Sequence, residues 1–112
     1  MSLAIHKRLA PIKVAILPLL RNRPEIVQLA KDIMKDLKKC SALGGKIMYD
    51  DTASIGRLYR RQDEIGTPFC ITVDVDSLSD KKVTVRDRDS MKQDRISVNK
   101  VKEYLEEKFN EK

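Results

Sequence analysis

The stretch Phe69-Cys70-Ile71-Thr72-Val73-Asp74-Val75-Asp76 decides the fold. Phe69, Ile71, Val73 and Val75 alternate with Cys70, Thr72, Asp74 and Asp76, the period of two that a half-buried strand requires. Downstream, the polar run Ser77–Asp80 reads as a turn, and Val83 with Val85 as the returning strand. So short a connection makes the pair antiparallel. A further edge strand is expected near Arg95–Val98. Upstream, Gly66 and Pro68 close an amphipathic helix from Ile55 to Ile65. That helix sets Ile55, Leu58, Tyr59, Gln62 and Ile65 on one side and Arg57, Arg60, Arg61 and Glu64 on another.

Farther out, Ile12–Leu19 reads as a buried strand, rich in branched residues and marked by Pro11 and Pro18. Pro24 suits the first turn of a helix whose apolar stripe is Ile26, Leu29, Ala30, Ile33, Leu37 and Cys40, with Met34 beside it as core filling. Gly44-Gly45 is expected to stop that helix, and Lys46–Tyr49 to form a short strand. Asp50, Asp51, Thr52 and Ser54 supply oxygens for turning and capping, and Gly56 is expected to allow close packing at the next helix start. Asn99 is read as the cap of a last helix carrying Val101, Leu105 and Phe109 at spacings of four, with Tyr104 beside them and Asn110–Lys112 fraying. The order strand, helix, strand, helix, strand, strand, helix is an α/β arrangement: a mixed sheet with helices on its faces.

A chain of 112 residues holds one domain, and 41% apolar with 36% charged residues argues against disorder. The excess of 23 Lys and Arg over 17 Asp and Glu favours a polyanionic partner. Aromatic residues make up only 4%, which argues against a sheet face tiled with stacked bases. The longest apolar run, Val14–Leu20, is too short to span a bilayer and contains Pro18. Lys7 and Arg8 before it mimic a signal peptide, but Lys13 interrupts the stretch and Arg21 and Arg23 stand where cleavage would need small residues. Cys40 and Cys70 form no CxxC pair and His6 is alone, so free buried thiols in a reducing, cytoplasmic compartment are expected, and no metal site.

No nucleotide-binding loop, zinc-protease or nucleophile-elbow pattern occurs, and no catalytic or cofactor-binding residue is assigned. Two basic segments stand out instead. One is Arg57, Arg60 and Arg61; the other is Arg86-Asp87-Arg88-Asp89, followed by Lys92 and Arg95. If the second is extended, Arg86 and Arg88 point one way and Asp87 and Asp89 the other. Such alternation suits a solvated edge that deters strand pairing. It equally suits a reader of single-stranded RNA, with guanidinium groups on phosphates or base acceptors and carboxylates on exocyclic amines. Arg57, Arg60 and Arg61 are likewise either an exposed face balanced by Asp63 and Glu64 or a phosphate grip. Periodicity does not choose between these readings.

Three blocks carry a resemblance: LAPIKVAILPL (Leu9–Leu19), DDTASIGRLYRRQDEIGTPFCITVDVD (Asp50–Asp76) and VTVRDRDSMKQDR (Val83–Arg95). Together they resemble the C-terminal anticodon-binding domain of class II glycyl-tRNA synthetase. The resemblance implies a three-layer α/β/α fold, a five-stranded mixed sheet flanked by three helices, over residues 9–112. Residues 1–8 are then an interdomain tail or the start of an expressed fragment, with His6 solvated. It implies that the domain grips the anticodon loop of glycine tRNA while a separate catalytic domain, supplied with ATP and magnesium, makes glycyl-adenylate. The parent enzyme is expected to be a cytoplasmic homodimer, and this fragment to catalyse nothing alone.

Glycine anticodons share two adjacent cytosines, whose pairing edges offer an amino donor beside two acceptors; their complement is a carboxylate next to an arginine. On this reading Arg86, Arg88 and Asp89 read bases, while Arg57, Arg60 and Arg61 mostly hold phosphates, with Asp63 or Glu64 orienting those arginines. The Asp50–Ser54 loop, at a helix start, is a further contact surface. Leu58 departs from the basic residue that the family commonly carries there and is expected to pack; Cys40–Met48 matches only loosely. Tyr59 is either a stacking platform or a packed ring, and Tyr49 and Phe69 are core. Two other functions compete. One is an accessory or protein-interaction domain of the same fold that has lost anticodon reading, against which the intact Arg60–Glu64 and Arg86–Asp89 blocks argue. The other is a small stand-alone α/β enzyme, which lacks the motifs it would need.

Overall fold

Alternation along the central strands sends two sets of side chains to opposite sides of one sheet, and each set meets different helices. The computed structural model describes residues 10–19, 23–52 and 54–110; the 1–8 tail with His6, and Glu111 and Lys112, lie outside the described residues. The strands are β1 (Val14–Pro18), β2 (Ile47–Tyr49), β3 (Phe69–Val73), β4 (Lys82–Asp87) and β5 (Gln93–Ser97). The helices are α1 (Pro24–Leu37), α2 (Ile55–Ile65), α3 (Val75–Asp80) and α4 (Val101–Asn110). The sheet runs in the order β2-β1-β3-β4-β5. β1 pairs in parallel with β2 and β3, while β3–β4 and β4–β5 are antiparallel.

Val14, Ile16, Phe69, Ile71, Val73, Val83 and Val85 face Ile26, Ala30, Ile33 and Leu37 of α1 and Val101, Leu105 and Phe109 of α4. Each of these side chains larger than Ala30, fully buried, stabilises the fold by about 1.5–3 kcal/mol. The opposite face is narrower: Ala15, Leu17 and Cys70 pack against Leu58, with Tyr59 at the margin. Leu58 is thus a core residue, as its departure from a basic side chain suggests. Beyond α2 this second face continues into Thr84, Arg86, Gln93 and Arg95, none of them buried. The α/β/α layering, the five-stranded mixed sheet and the antiparallel β3–β4 pair all match the sequence expectation. Among the described residues no helix is long and apolar enough to cross a membrane.

Several local expectations are corrected. The alternation ends at Val73 rather than Asp76. Asp74 caps a helix there, accepting from the Ser77 backbone N–H at 3.0 Å while the Ser77 hydroxyl accepts from the Asp74 N–H at 3.1 Å. This reciprocal box satisfies two donors at the helix start and leaves Val75 exposed. The β3–β4 connection is therefore α3, not a tight turn. Gly44-Gly45 does not stop α1, which ends at Leu37; the Lys39 and Cys40 N–H groups tighten the chain onto Asp36 and Leu37 carbonyls, and a 3-10 turn at Ser41–Leu43 intervenes. Asn99 does not cap α4 but lies inside a 3-10 turn, Val98–Lys100, that runs straight into it. Ser54 occupies the cap position of α2 without a side-chain hydrogen bond. Gly56 is exposed, and a methyl group there would meet nothing within 4 Å, so it serves no close approach.

Candidate nucleic-acid interface

The end of β4, the turn after it and the second half of α2 come together at the start of β3. Two ties hold them. The Arg88 N–H donates to the Pro68 carbonyl at 2.9 Å, fixing the turn against the α2–β3 junction. Arg86 Nη1 donates to Asp63 Oδ1 at 3.3 Å, joining β4 to α2.

The guanidinium of Arg86 lies over the Tyr59 ring, 4.8 Å from its centroid, and the Tyr59 and Thr72 hydroxyls share a hydrogen bond beneath. A cation over an aromatic face is attracted by the ring quadrupole. Tyr59 is thus a packed ring with one face occupied. Only 11% of the Arg86 side chain is exposed. Asp63 pairs with Arg86, not with an arginine of its own helix, because a spacing of four puts Asp63 beside Tyr59 on the surface that faces β4.

The extended alternation of Arg86–Asp89 does not hold to its end. Strand geometry stops at Asp87, whose side-chain Oδ1 accepts from the Asp89 and Ser90 N–H groups at 2.9 and 3.3 Å. Asp87 is therefore a turn-former. Further bonds from Asp87 N–H to the Lys92 carbonyl and from Met91 N–H to the Asp87 carbonyl close the turn. On it, Arg88 grips Asp89 through Nε and Nη2, at 3.3 and 3.2 Å from the same Oδ1. The Asp89 carboxylate is 61% exposed while Arg88 is 15% exposed, so an acceptor faces outward with a guanidinium beside and beneath it.

Arg57, Arg60 and Glu64 are exposed along α2. Arg61 differs: its Nη1 reaches the Asp50 carboxylate and donates to Thr52 Oγ1 at 3.0 Å. Asp50 is 7% exposed and also accepts from the Thr52 N–H and hydroxyl at 3.0 and 2.7 Å. Burial alone would raise its pKa, but the bonds from Thr52 and the Arg61 charge outweigh it and hold the carboxyl below 3.8. Arg61 therefore braces the Asp50–Thr52 loop against α2.

The Arg95 guanidinium, from the second basic segment, is held by Asp74 and Asp80 at 3.2 and 3.0 Å and by Thr84 Oγ1, tying β5 to both ends of α3. Reading Asp74 as a strand residue hid this cluster; its signal was the Asp74-x-x-Ser77 spacing. Among the described residues no group of three or more His, Cys, Asp or Glu is placed to hold a metal ion. Cys40 and Cys70 are both free and buried.

The model of the family described as anticodon binding domain matches residues 13–108 of this chain. The glycine–tRNA ligase of Nocardia farcinica is 53% identical over 103 residues, covering 92% of this chain and 21% of that protein. That of Clostridium acetobutylicum is 51% identical over 109 residues, covering 96% and 22%. The chain thus spans about a fifth of the length of the curated relatives it matches. Among solved structures, the RNA binding domain of threonyl-tRNA synthetase from Cryptosporidium parvum Iowa II superposes with a TM-score of 0.77 at 21% identity, over 93% of this chain and 25% of that one. Prolyl-tRNA synthetase from Cryptosporidium parvum gives 0.77 at 20% identity, over 89% and 21%. At such identity these two speak to the fold alone.

Proposed function

The chain belongs to the anticodon-binding domain family, and on that premise we propose that it grips the anticodon loop of glycine tRNA as one part of a glycine–tRNA ligase. Half of its residues are shared with glycine–tRNA ligases, which supports the amino acid. The observation that carries the mechanism is the Arg88–Asp89 pair, an outward carboxylate backed by a guanidinium on a closed turn. That pair offers an acceptor for the amino donor of a cytosine pairing edge and donors for its two acceptors. Arg57 and Arg60 hold phosphates, which fixes the register of the loop but reads no base. Arg86, steadied by Asp63, supports the turn from behind, and Arg61 keeps the Asp50–Thr52 loop in place at the margin of the surface. Glycyl-adenylate formation, with its ATP and magnesium, belongs to a catalytic domain of a cytoplasmic homodimeric parent.

The test is tRNA binding by the protein across a salt series, using glycine tRNA and a copy with both anticodon cytosines replaced. Arg88→Ala should weaken only the glycine tRNA, by about 1–3 kcal/mol. Arg57→Ala and Arg60→Ala should weaken both RNAs alike and flatten the salt slope by roughly 0.7 per lost contact. An equal loss on both RNAs for Arg88→Ala would reduce that residue to phosphate holding. A wild-type protein with no preference between the two RNAs would point instead to an accessory domain that has ceased to read the anticodon.

A further inference from the structure

Neither the β4–β5 turn nor the core explains the side chain of Met91. Its φ is 61°, in the left-handed region that disfavours any residue with a Cβ and that Gly or Asn fills most readily. The residue is 62% exposed, so burial offers no compensation. The position would be better served by Gly if the turn were its only purpose.

What Met91 does touch is Arg86: the thioether sulfur lies 3.6 Å from Nη2. Tyr59, Arg86 and Met91 thus form three tiers. The ring is the lowest, anchored through Thr72; the guanidinium is the middle one, held by Asp63; the thioether is outermost and open. The hydrogen bonds around Asp87 hold the turn, so Met91 is presented rather than left on a free loop. Its sequence neighbours include Arg88, Asp89 and Lys92. A single apolar tip in such a charged setting suits no broad apolar protein surface. It suits a flat, polarisable ring carried on an anionic backbone. Tyr59 cannot offer both ring faces for stacking because Arg86 covers one of them, whereas the flexible, polarisable thioether is accessible.

We propose that Met91 is a direct contact for an unstacked nucleobase, its thioether lying against the base face while the adjacent Arg88–Asp89 pair meets a base edge. This rests on the anticodon-loop reading given above and adds a contact to it. Met91→Ala should weaken glycine tRNA binding about two- to tenfold, as expected for the loss of a sulfur–aromatic contact. The salt slope should stay unchanged because no cation is removed. Met91→Leu should keep most of the affinity, and thermal melting of both variants checks that the turn survives. A second readout needs no substitution: peroxide oxidation of Met91 to the sulfoxide, followed by mass spectrometry, should slow when glycine tRNA is bound.

If the wild-type protein prefers glycine tRNA but Met91→Ala binds as tightly and the RNA leaves the oxidation rate unchanged, the Met91 contact is overturned and the anticodon reading stands. A loss accompanied by a changed salt slope also overturns it, because the turn would then have moved its arginines. If the wild-type protein shows no preference for glycine tRNA, the anticodon reading itself fails.

Discussion

The rings of Phe69 and Phe109 meet edge to face, with centroids 5.4 Å apart and planes inclined at 69°. Phe69 opens the central strand β3 and Phe109 closes α4, so this contact pins the last helix to the middle of the sheet. Lys13 Nζ lies 5.4 Å from the Phe109 centroid. Phe109→Ala should cost about 3–5 kcal/mol in urea unfolding, as expected for a buried ring. A double-mutant cycle with Phe69→Leu should return a coupling of about 0.5–1.5 kcal/mol. A coupling near zero would mean that the two rings are merely neighbours.

Asp50 and Asp74 both have carboxyl groups held below 3.8. In each case burial pulls the other way and hydrogen bonds win, from Thr52 and Arg61 for Asp50 and from Arg95 and Ser77 for Asp74. A depressed carboxyl stabilises the fold fully above its unfolded pKa and loses that contribution as pH falls through the folded value. Stability should therefore not respond to these two groups above about pH 5 and should drop below about pH 4. Asp50→Asn should make the acid limb shallower. Arg61→Ala at pH 7 should cost about 1–2 kcal/mol by leaving the buried carboxylate with fewer donors.

Burial pushes the Cys70 thiol up to about 12. Cys40 is buried as well. A thiol-specific disulfide reagent at pH 8 should find no fast-reacting thiol in the folded protein and two after denaturation. Because Cys70 keeps its proton longer when folded, its contribution is complete below about pH 8.5 and is lost as pH rises toward 12. One thiol reacting at the rate of a free cysteine would contradict this burial.

Two glycines should respond to alanine with opposite signs. Gly66 ends α2 at φ 89°, where a Cβ costs about 1–2 kcal/mol. Gly56 sits in the first turn of the same helix with open space around it, so Gly56→Ala should stabilise by about 0.5–1 kcal/mol. Thermal melts of the two variants check the pair, and a destabilised Gly56→Ala would restore a packing role to that position.

The fold was legible where one periodicity ran its full length: the alternation of Phe69–Val73, the stripe from Ile26 to Leu37, and Val101, Leu105 and Phe109. It failed where two signals overlapped. Val75 continues the strand alternation, yet the Asp74–Ser77 box competes for the same residues and wins because a helix start satisfies donors that a lone strand end cannot. The candidate site was legible as composition but not as geometry. Arginines and aspartates could be named from their alternation. The pairing of Arg86 with Asp63, by contrast, depends on where α2 lies across the sheet, and no local pattern records that.

β1 is an interior strand of the sheet, paired on both sides, but precedes the other four in sequence. Its neighbour β3 is made only after two helices and β2, whereas β3, β4 and β5 follow one another and pair with their immediate successors. During ribosomal synthesis the wholly apolar run Val14–Pro18 must therefore wait, one side unpartnered, until Phe69 has emerged from the exit tunnel. Pro18, which has no N–H to donate, shortens the template that this waiting segment offers to a stray nascent chain.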